Sequence, residues 1–334
     1  MQSKDKREIV QVAPGLGDRA RTLFSQSNLI VYVAFVAIFI LFSILLGGTF
    51  LSVNNVLNIA RQTAMISVMA GAMTFVIGSG QIDLSIGSIA ALSSLVAALI
   101  LRDTGNIFLA LVGALVLGAL IGVVNGLLNT KAGIPSFLTT LGMMGIIRGF
   151  AMWITNTATV PIQNSTFNSV FGIGNVGGVP VLLLWTIAFA VVGYVLLNRM
   201  RFGRHTLAVG GNESAARFSG INTQSIKIRV MMMSGLFAAV AGVMYAARMQ
   251  SGRWTFGEGD ELSVIAAVIL GGTSMAGGSG TIIGAVVGSF LMGMINNGLV
   301  LGGLNVAQQT IIRGAIIIVA TAVANRSNAR KNAS

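Results

Sequence analysis

Long apolar stretches, separated by short polar connections, run through the chain from residue 29 to residue 324. A helix of about 20 apolar residues is long enough to cross the roughly 30 Å of hydrocarbon in a bilayer. Of the 334 residues, 54% are hydrophobic and only 9% are charged, whereas about a quarter of the residues of a soluble domain are charged. The sequence therefore predicts an all-α integral membrane protein.

Ten apolar segments are candidates for membrane crossings. They lie near 29–47, 56–78, 84–101, 107–128, 135–155, 180–197, 227–248, 261–272, 281–301 and 305–324. The segment 261–272 is short for a full crossing, and the sequence GSGQIDL at 78–84 interrupts an apolar region. We expect either place to hold a broken or re-entrant helix.

The positive charges indicate the orientation of these segments. With ten crossings, the N-terminal tail (1–28), the polar loop (198–227) and the C-terminal tail (325–334) lie on one side. That side, with Lys131 and Arg229, collects fifteen of the 21 Lys and Arg residues. Since cytoplasmic loops are enriched in Lys and Arg, we expect both termini in the cytoplasm, with the membrane domain at 29–324. The net charge of +12 therefore reflects topology, and we expect no nucleic-acid partner.

Three weak patterns concern the membrane interior. GALIGVVNGLL at 118–128 resembles SFLMGMINNGLV at 289–300, which would make the chain two five-helix halves in an inverted repeat. Arg61, Arg148 and Arg313 lie within or beside apolar runs, so each either reaches the membrane surface or contacts a carbonyl group or an aqueous lumen. Stripes of glycine favour close helix packing; they are Gly118, Gly122 and Gly126, then Gly284 and Gly288.

Groups suited to catalysis are scarce. The chain has one His, His205, which lies in the polar loop, and it has no Cys, so a zinc site is nearly excluded by the shortage of donors. It contains no GxxxxGK[ST] phosphate loop. If transport is driven by ATP, the nucleotide and Mg²⁺ are bound by another protein, and we expect no cofactor in this chain.

The polar stretch GRHTLAVGGNESAARFSGI at 203–221 is predicted to contain a short helix. Asn212 is a good N-cap, Glu213 places an anion in the first turn, and Gly220 before Ile221 is a stop signal. Two helical turns are too short to be stable alone. This element therefore needs a partner surface.

Polar side chains in the membrane segments are mainly neutral, as expected for a pathway that passes a neutral, hydroxyl-rich solute. Asp83 either caps the third apolar helix or lines the pathway. The candidate pathway residues are Asp83, Ser85, Gln62, Asn125 and Asn296. Ion-coupled transport has little support, because carboxylates close to the apolar crossings are scarce and Asp83 is the main candidate.

Three pieces of sequence resemble one family in order and spacing: GQIDLSIGSIAALSSLVAALI, GIPSFLTTLGMMGIIRG, and the pair AVGGNESAARFSGI and ELSVIAAVILGGTSMAGGSGTIIGAVVG. They look like the permease subunits of bacterial ABC importers for ribose and related monosaccharides. The resemblance covers about residues 29–324. Gln81 is a departure, since GGIDLS is more usual than GQIDLS.

The resemblance implies an inner-membrane permease that is not itself an enzyme. Its partners would be a cytoplasmic ATPase, a periplasmic sugar-binding protein and a second copy or sister permease. It also implies that part of the polar loop is the coupling helix that docks on the ATPase, namely Gly211, Asn212, Glu213, Ala215, Ala216, Arg217, Gly220 and Ile221.

Other functions remain open from the residues alone. A branched-chain amino-acid permease is the nearest alternative, a stand-alone secondary carrier would need no ATPase, and an intramembrane enzyme would need catalytic groups that are missing here.

Overall fold

The computed structural model describes residues 26–312, 314–316 and 318, and almost all of them lie in helices or their connections. The helices are α1 Gln26–Leu46, α2 Gly48–Leu51, α3 Val53–Gly78, α4 Ile86–Thr104, α5 Ile107–Thr130, α6 Ser136–Thr155, α7 Ser165–Asn168, α8 Val181–Asn198, α9 Arg201–Gly211, α10 Glu213–Phe218, α11 Thr223–Arg248, α12 Asp260–Leu270 and α13 Ile282–Leu301. Residues 306–312, 314–316 and 318 are also helical. The all-α fold class is confirmed.

Strands are short and lie in the connections between helices. β1 (Val160–Pro161) pairs with β4 (Ser251–Gly252), and β2 (Asn175–Val176) forms a hairpin with β3 (Val179–Pro180). A single π-helical turn, Ser169–Ile173, precedes that hairpin.

Seven helices of the described part are long and apolar enough to cross a membrane: α3, α4, α5, α6, α8, α11 and α13. A shorter apolar stretch, Val31–Leu46, lies in α1. The count of ten crossings stays a prediction. The tail at 325–334 and Arg313 lie outside the described residues, as does most of the tail at 1–28.

Two helices form the centre of the bundle. In the apolar stretch of each helix, 89% of α3 and 78% of α11 are buried inside the protein, against 22% of α5, α6 and α8. The outer helices therefore turn apolar side chains outward, as a lipid-facing surface requires. The mean hydropathy of α5 and α8 is correspondingly high, at 2.9 and 2.2.

Some helix pairs have the relation that an inverted repeat would give, although the repeat itself stays a prediction. α3 and α11 each have 26 residues, and each is capped by a side chain at its start, Ser52 and Asn222. They also share the pattern AGAM at 70–73 and AGVM at 241–244. α5 and α13 carry the similar Gly/Asn sequences. α5 packs on α11 and α13 packs on α3, so each of them contacts the central helix of the other half.

The predicted glycine stripes are packing surfaces. A Cβ atom at Gly118 would overlap the Gly235 carbonyl of α11, and one at Gly126 would lie 2.7 Å from the Ile228 Cα. On α13, Gly284 and Gly288 press in the same way against Gly271 and Ala267. Only a hydrogen in place of the side chain permits these backbones to approach so closely.

Candidate functional sites: the polar loop and the membrane interior

The polar loop between α8 and α11 contains the short helix predicted from the sequence. The Asn212 side chain accepts a hydrogen bond from the Ala215 amide at 2.9 Å. The helix α10 then ends before Gly220, whose φ is +82°, and the Ile221 amide donates to the Ala216 carbonyl. These cap and stop signals are confirmed because they act within a few residues.

Two further features of the loop differ from the sequence prediction. Residues 201–211 form a helix of their own, α9, directly before α10. The next membrane helix, α11, begins at Thr223 rather than near 227, because the Asn222 side chain caps it by accepting from the Ser225 amide. The polar loop is therefore two short helices with a break at Asn212.

Glu213 ties α10 to the membrane bundle. Its Oε2 accepts from the Lys227 Nζ at 2.6 Å, and its Oε1 lies 3.6 Å from the Arg217 guanidinium one turn along. The hydrogen bond from Lys227 is the main reason that the pKa of Glu213 lies below its ordinary value of 4.5. The carboxylate thus stays ionised and holds α10 against the start of α11.

One face of α10 is covered by the chain and the other is not. Ala216 is buried, whereas Phe218 is 93% exposed. Gly211, Asn212, Ala215, Arg217 and Gly220 are exposed around it. Phe218 was not among the candidate residues; its signal is an aromatic side chain in an otherwise polar helix.

In the membrane interior, three of the five candidate pathway residues meet in one buried cluster. Asp83 Oδ1 accepts from the Ser85 amide at 2.9 Å and from the Ser85 hydroxyl at 2.6 Å. Asp83 Oδ2 accepts from the Ser234 hydroxyl of α11 at 2.7 Å. The Asn125 amide of α5 donates to Ser85 Oγ at 2.9 Å. All four side chains are fully buried.

This cluster anchors the linker between α3 and α4. Asp83 binds the N-cap residue of α4 rather than the first-turn amides, and Thr140 of α6 accepts from the Leu84 amide at 3.0 Å. Gln62 and Asn296 are half-buried and take no part in the cluster. A solute would reach Asp83, Ser85 or Asn125 only after the helices move, so the pathway role of the five residues stays a prediction.

A second irregular segment, between α11 and α12, enters the bundle beside α4. Gly252 packs against Leu95 of α4, and Gly257 packs against Gly87. Leu95 and Gly87 are eight residues apart, so the segment descends about 12 Å along α4 at 1.5 Å per residue. Gly87 itself lies about 25 Å from the Thr104 end of α4. α12 therefore starts inside the bundle, as the short predicted segment suggested.

Polar contacts hold this segment in place. Arg148 of α6 donates to the carbonyl groups of Trp254 and Phe256. This confirms a carbonyl contact as one of the two roles expected for the intramembrane arginines. Arg61 donates instead to the Asn175 side chain at 3.3 Å. The Tyr245 hydroxyl donates to Asp260, and its ring stacks on Phe256 at 5.5 Å.

The outward face of the segment carries charge. Arg253 and Glu258 are both exposed, and neither forms an ion pair within the described residues. A charged side chain facing lipid at this depth costs several kcal/mol. Irregular backbone is tolerated at membrane depth only if it is buried in protein or lines a water-filled cavity. The exposed face is thus unsuited to lipid contact.

Comparison with known proteins gives consistent relatives. The family model described as "Branched-chain amino acid transport system / permease component" matches residues 55–321. The ribose import permease protein RbsC of Escherichia coli (strain K12) is 41% identical over 92% of this chain and 97% of its own length. RbsC of Bacillus subtilis (strain 168) is 39% identical over 88% and 92%. The xylose transport system permease protein XylH of E. coli (strain K12) is 33% identical over 88% and 91%. No solved structure matches.

Proposed function

Because the chain belongs to the branched-chain amino-acid transport system permease family, it is a multi-pass inner-membrane transport component, and we propose that it imports a monosaccharide or related polyol. The observation that carries the proposal is the 41% identity over 97% of a ribose import permease. Relatives named for xylose and L-arabinose support a sugar over an amino acid.

The energy source is proposed to be a separate cytoplasmic ATPase that binds ATP and Mg²⁺. A periplasmic sugar-binding protein would deliver the substrate, and a second copy of this chain or a sister permease would complete the membrane unit. The positive charges on the side of the polar loop support cytoplasmic termini. ATP binding would move the ATPase, and the polar loop would pass that motion to the helices.

The coupling surface is proposed to be α10 with its flanks, from Gly211 to Ile221. Phe218 would be its apolar anchor, since aromatic side chains that enter a partner's pocket supply much of the energy of an interface. Glu213 holds α10 to the membrane bundle through Lys227, so force applied to Phe218 would reach α11. This proposal adds Phe218 to the coupling residues predicted from the sequence between positions 211 and 221.

A binding measurement tests this surface. We expect Phe218→Ala to weaken ATPase association by about 2 kcal/mol, roughly 30-fold in Kd, as measured with the ATPase that copurifies with the chain. Gln224→Ala, also at an exposed position nearby, should leave Kd unchanged. Equal Kd values for both variants would place the docking surface elsewhere.

The solute path is proposed to pass the exposed face of the segment 253–259. Arg253 and Glu258 would face water there, and hydroxyl groups of a sugar can bond to both side chains. We expect Glu258→Gln and Arg253→Gln to raise the KM for uptake without weakening ATPase association. Matched variants of the exposed pair Arg102 and Asp103 at the end of α4 should leave KM unchanged; an equal effect in both pairs would contradict the path.

The function itself is tested by uptake into proteoliposomes that hold the complex isolated from membranes. Labelled pentoses, hexoses, polyols, inositol and leucine would be compared with and without ATP. We expect ATP-dependent uptake of a sugar or polyol. Uptake of leucine alone would favour the amino-acid alternative, and uptake by this chain without an ATPase would identify a secondary carrier.

A further inference from the structure

Three separate segments meet by backbone contact at the end of α9 in the polar loop. They are the end of α3 at Gly78, the end of α9 at Gly210, and the loop between α12 and α13 at Gly277 and Gly278. The Gly278 amide donates to the Gly78 carbonyl at 3.0 Å. We name these four residues the glycine junction.

The glycine junction leaves no room for a side chain at Gly210, Gly277 or Gly278. A Cβ atom at Gly210 would overlap the Gly78 carbonyl oxygen and lie 2.9 Å from the Gly278 amide nitrogen. One at Gly277 would lie 2.6 Å from the Gly210 carbonyl oxygen. Gly277 and Gly278 also have φ values of +82° and +78°, which side chains disfavour.

The junction connects α9 to both halves of the membrane bundle. On one side, Gly78 leads into the linker whose Asp83 binds Ser234 of α11. On the other side, the loop with Gly277 and Gly278 joins the half-length helix α12 to α13.

We propose that the glycine junction is the positioning contact that transmits movement of the polar loop to both halves of the bundle during transport. The inference rests on the proposed function, in which α10 docks on an ATPase. Backbone atoms in direct contact cannot absorb a displacement by changing rotamers, and packed interiors are stiff. A shift of α9 therefore displaces the end of α3 and the α12–α13 loop together.

The chain offers a matched pair of glycine variants. Gly210→Ala inserts a methyl group into the junction, whereas a Cβ atom at Gly145 on α6 meets nothing within 4 Å. In proteoliposomes holding the whole complex, we expect Gly210→Ala to keep ATP hydrolysis but to move about tenfold less sugar per ATP. Gly145→Ala should behave as the parent protein.

A reversible cross-link provides a second test that does not depend on folding of the Gly210 variant. The sequence has no cysteine, and the Leu207 Cδ2 lies 3.0 Å from a Cβ atom built at Gly78. In a chain with Leu207→Cys and Gly78→Cys, we expect disulfide formation to leave uptake and ATP hydrolysis unchanged, because the ends of α3 and α9 move as one unit. Loss of uptake on oxidation that reduction restores would show that α9 must slide past α3, which contradicts a rigid junction. Neither single variant should respond to oxidant.

The outcomes separate the junction from the proposed function. If the parent complex shows no ATP-dependent uptake, the proposed function fails and the junction with it. If the parent complex transports, and either Gly210→Ala moves the normal amount of sugar per ATP or the oxidised cysteine pair loses uptake, the junction alone is overturned. If Gly210→Ala no longer binds the ATPase, the oxidised pair decides: normal uptake supports the junction, and lost uptake overturns it.

Discussion

At the scale of single residues, Asp83 shows how a polar group is accommodated inside the bundle. Its two oxygens accept three hydrogen bonds, from the amide and hydroxyl of Ser85 and from the hydroxyl of Ser234. A buried polar group without such partners would destabilise the fold. The geometry makes the linker at 79–85 a structural part of the bundle, whichever role Asp83 has in transport.

Replacing Asp83 tests this structural role. Asp83→Ala leaves the Ser85 amide and the Ser234 hydroxyl buried without an acceptor, which costs about 1–3 kcal/mol for each unsatisfied group. We expect a clear fall in the thermal unfolding temperature of the purified chain in detergent. Asp103→Ala, at a side chain that is 58% exposed, should change that temperature little. Equal shifts for the two variants would contradict the structural role.

Glu213 carries a pH dependence with a definite sign. Its pKa is lowered by the hydrogen bond from Lys227, so its contribution to stability is present above the ordinary value of 4.5 and is lost as the pH falls further. We expect amide-exchange protection in α10, corrected for intrinsic rates, to stay constant down to pH 4.5 and to decline below it. In Glu213→Gln the protection should be weaker and should not follow this profile.

At the scale of elements, the close pairing of α5 with α11 depends on glycine. A Cβ atom at Gly122 would overlap the Met231 carbonyl and lie 2.7 Å from the Met232 Cα. These are backbone atoms, so the two helices would have to separate to admit even one methyl group. The pairing is therefore a rigid contact between the halves rather than an adaptable one.

Gly122→Ala is the corresponding prediction. Overpacking of this kind typically costs about 1–3 kcal/mol, so we expect a lower unfolding temperature and a reduced yield of monodisperse protein in detergent. Gly145→Ala on α6 is the control, since a Cβ atom there meets nothing within 4 Å. A loss of stability in the control as large as that of Gly122→Ala would argue against the packing explanation.

At the scale of the whole molecule, the two ends of the bundle differ in charge. The polar loop carries Arg199, Arg201, Arg204 and Arg217, whereas the opposite end carries Arg102 with the acidic Asp103 beside it. This asymmetry is what the positive-inside rule uses. It supports an orientation in which α9 and α10 lie in the cytoplasm.

Single cysteines test that orientation without background labelling, since the chain has none of its own. We expect a membrane-impermeant maleimide to label Asp103→Cys in spheroplasts whose inner membrane is intact. Ser219→Cys, at an exposed position of the polar loop, and Ser3→Cys should react only after the inner membrane is permeabilised. The reverse pattern would invert the topology and remove α10 as a cytoplasmic docking helix.

The sequence by itself determined the features that depend on neighbouring residues or on bulk composition. The membrane class follows from apolar length, and the caps at Asn212 and Gly220 follow from hydrogen bonds within one helical turn. The glycine stripes and the short helix near 261–272 were also readable, because they need only spacing and length.

Only the tertiary structure decided which distant residues meet. Asp83 and Ser234 are 151 positions apart, and Gly78, Gly210 and Gly278 come from three separate parts of the chain. No local pattern encodes such contacts, since they arise from how helices pack and cross. For the same reason, the irregular segment at 253–259 and the exposed Phe218 became candidate sites only when their surroundings were known.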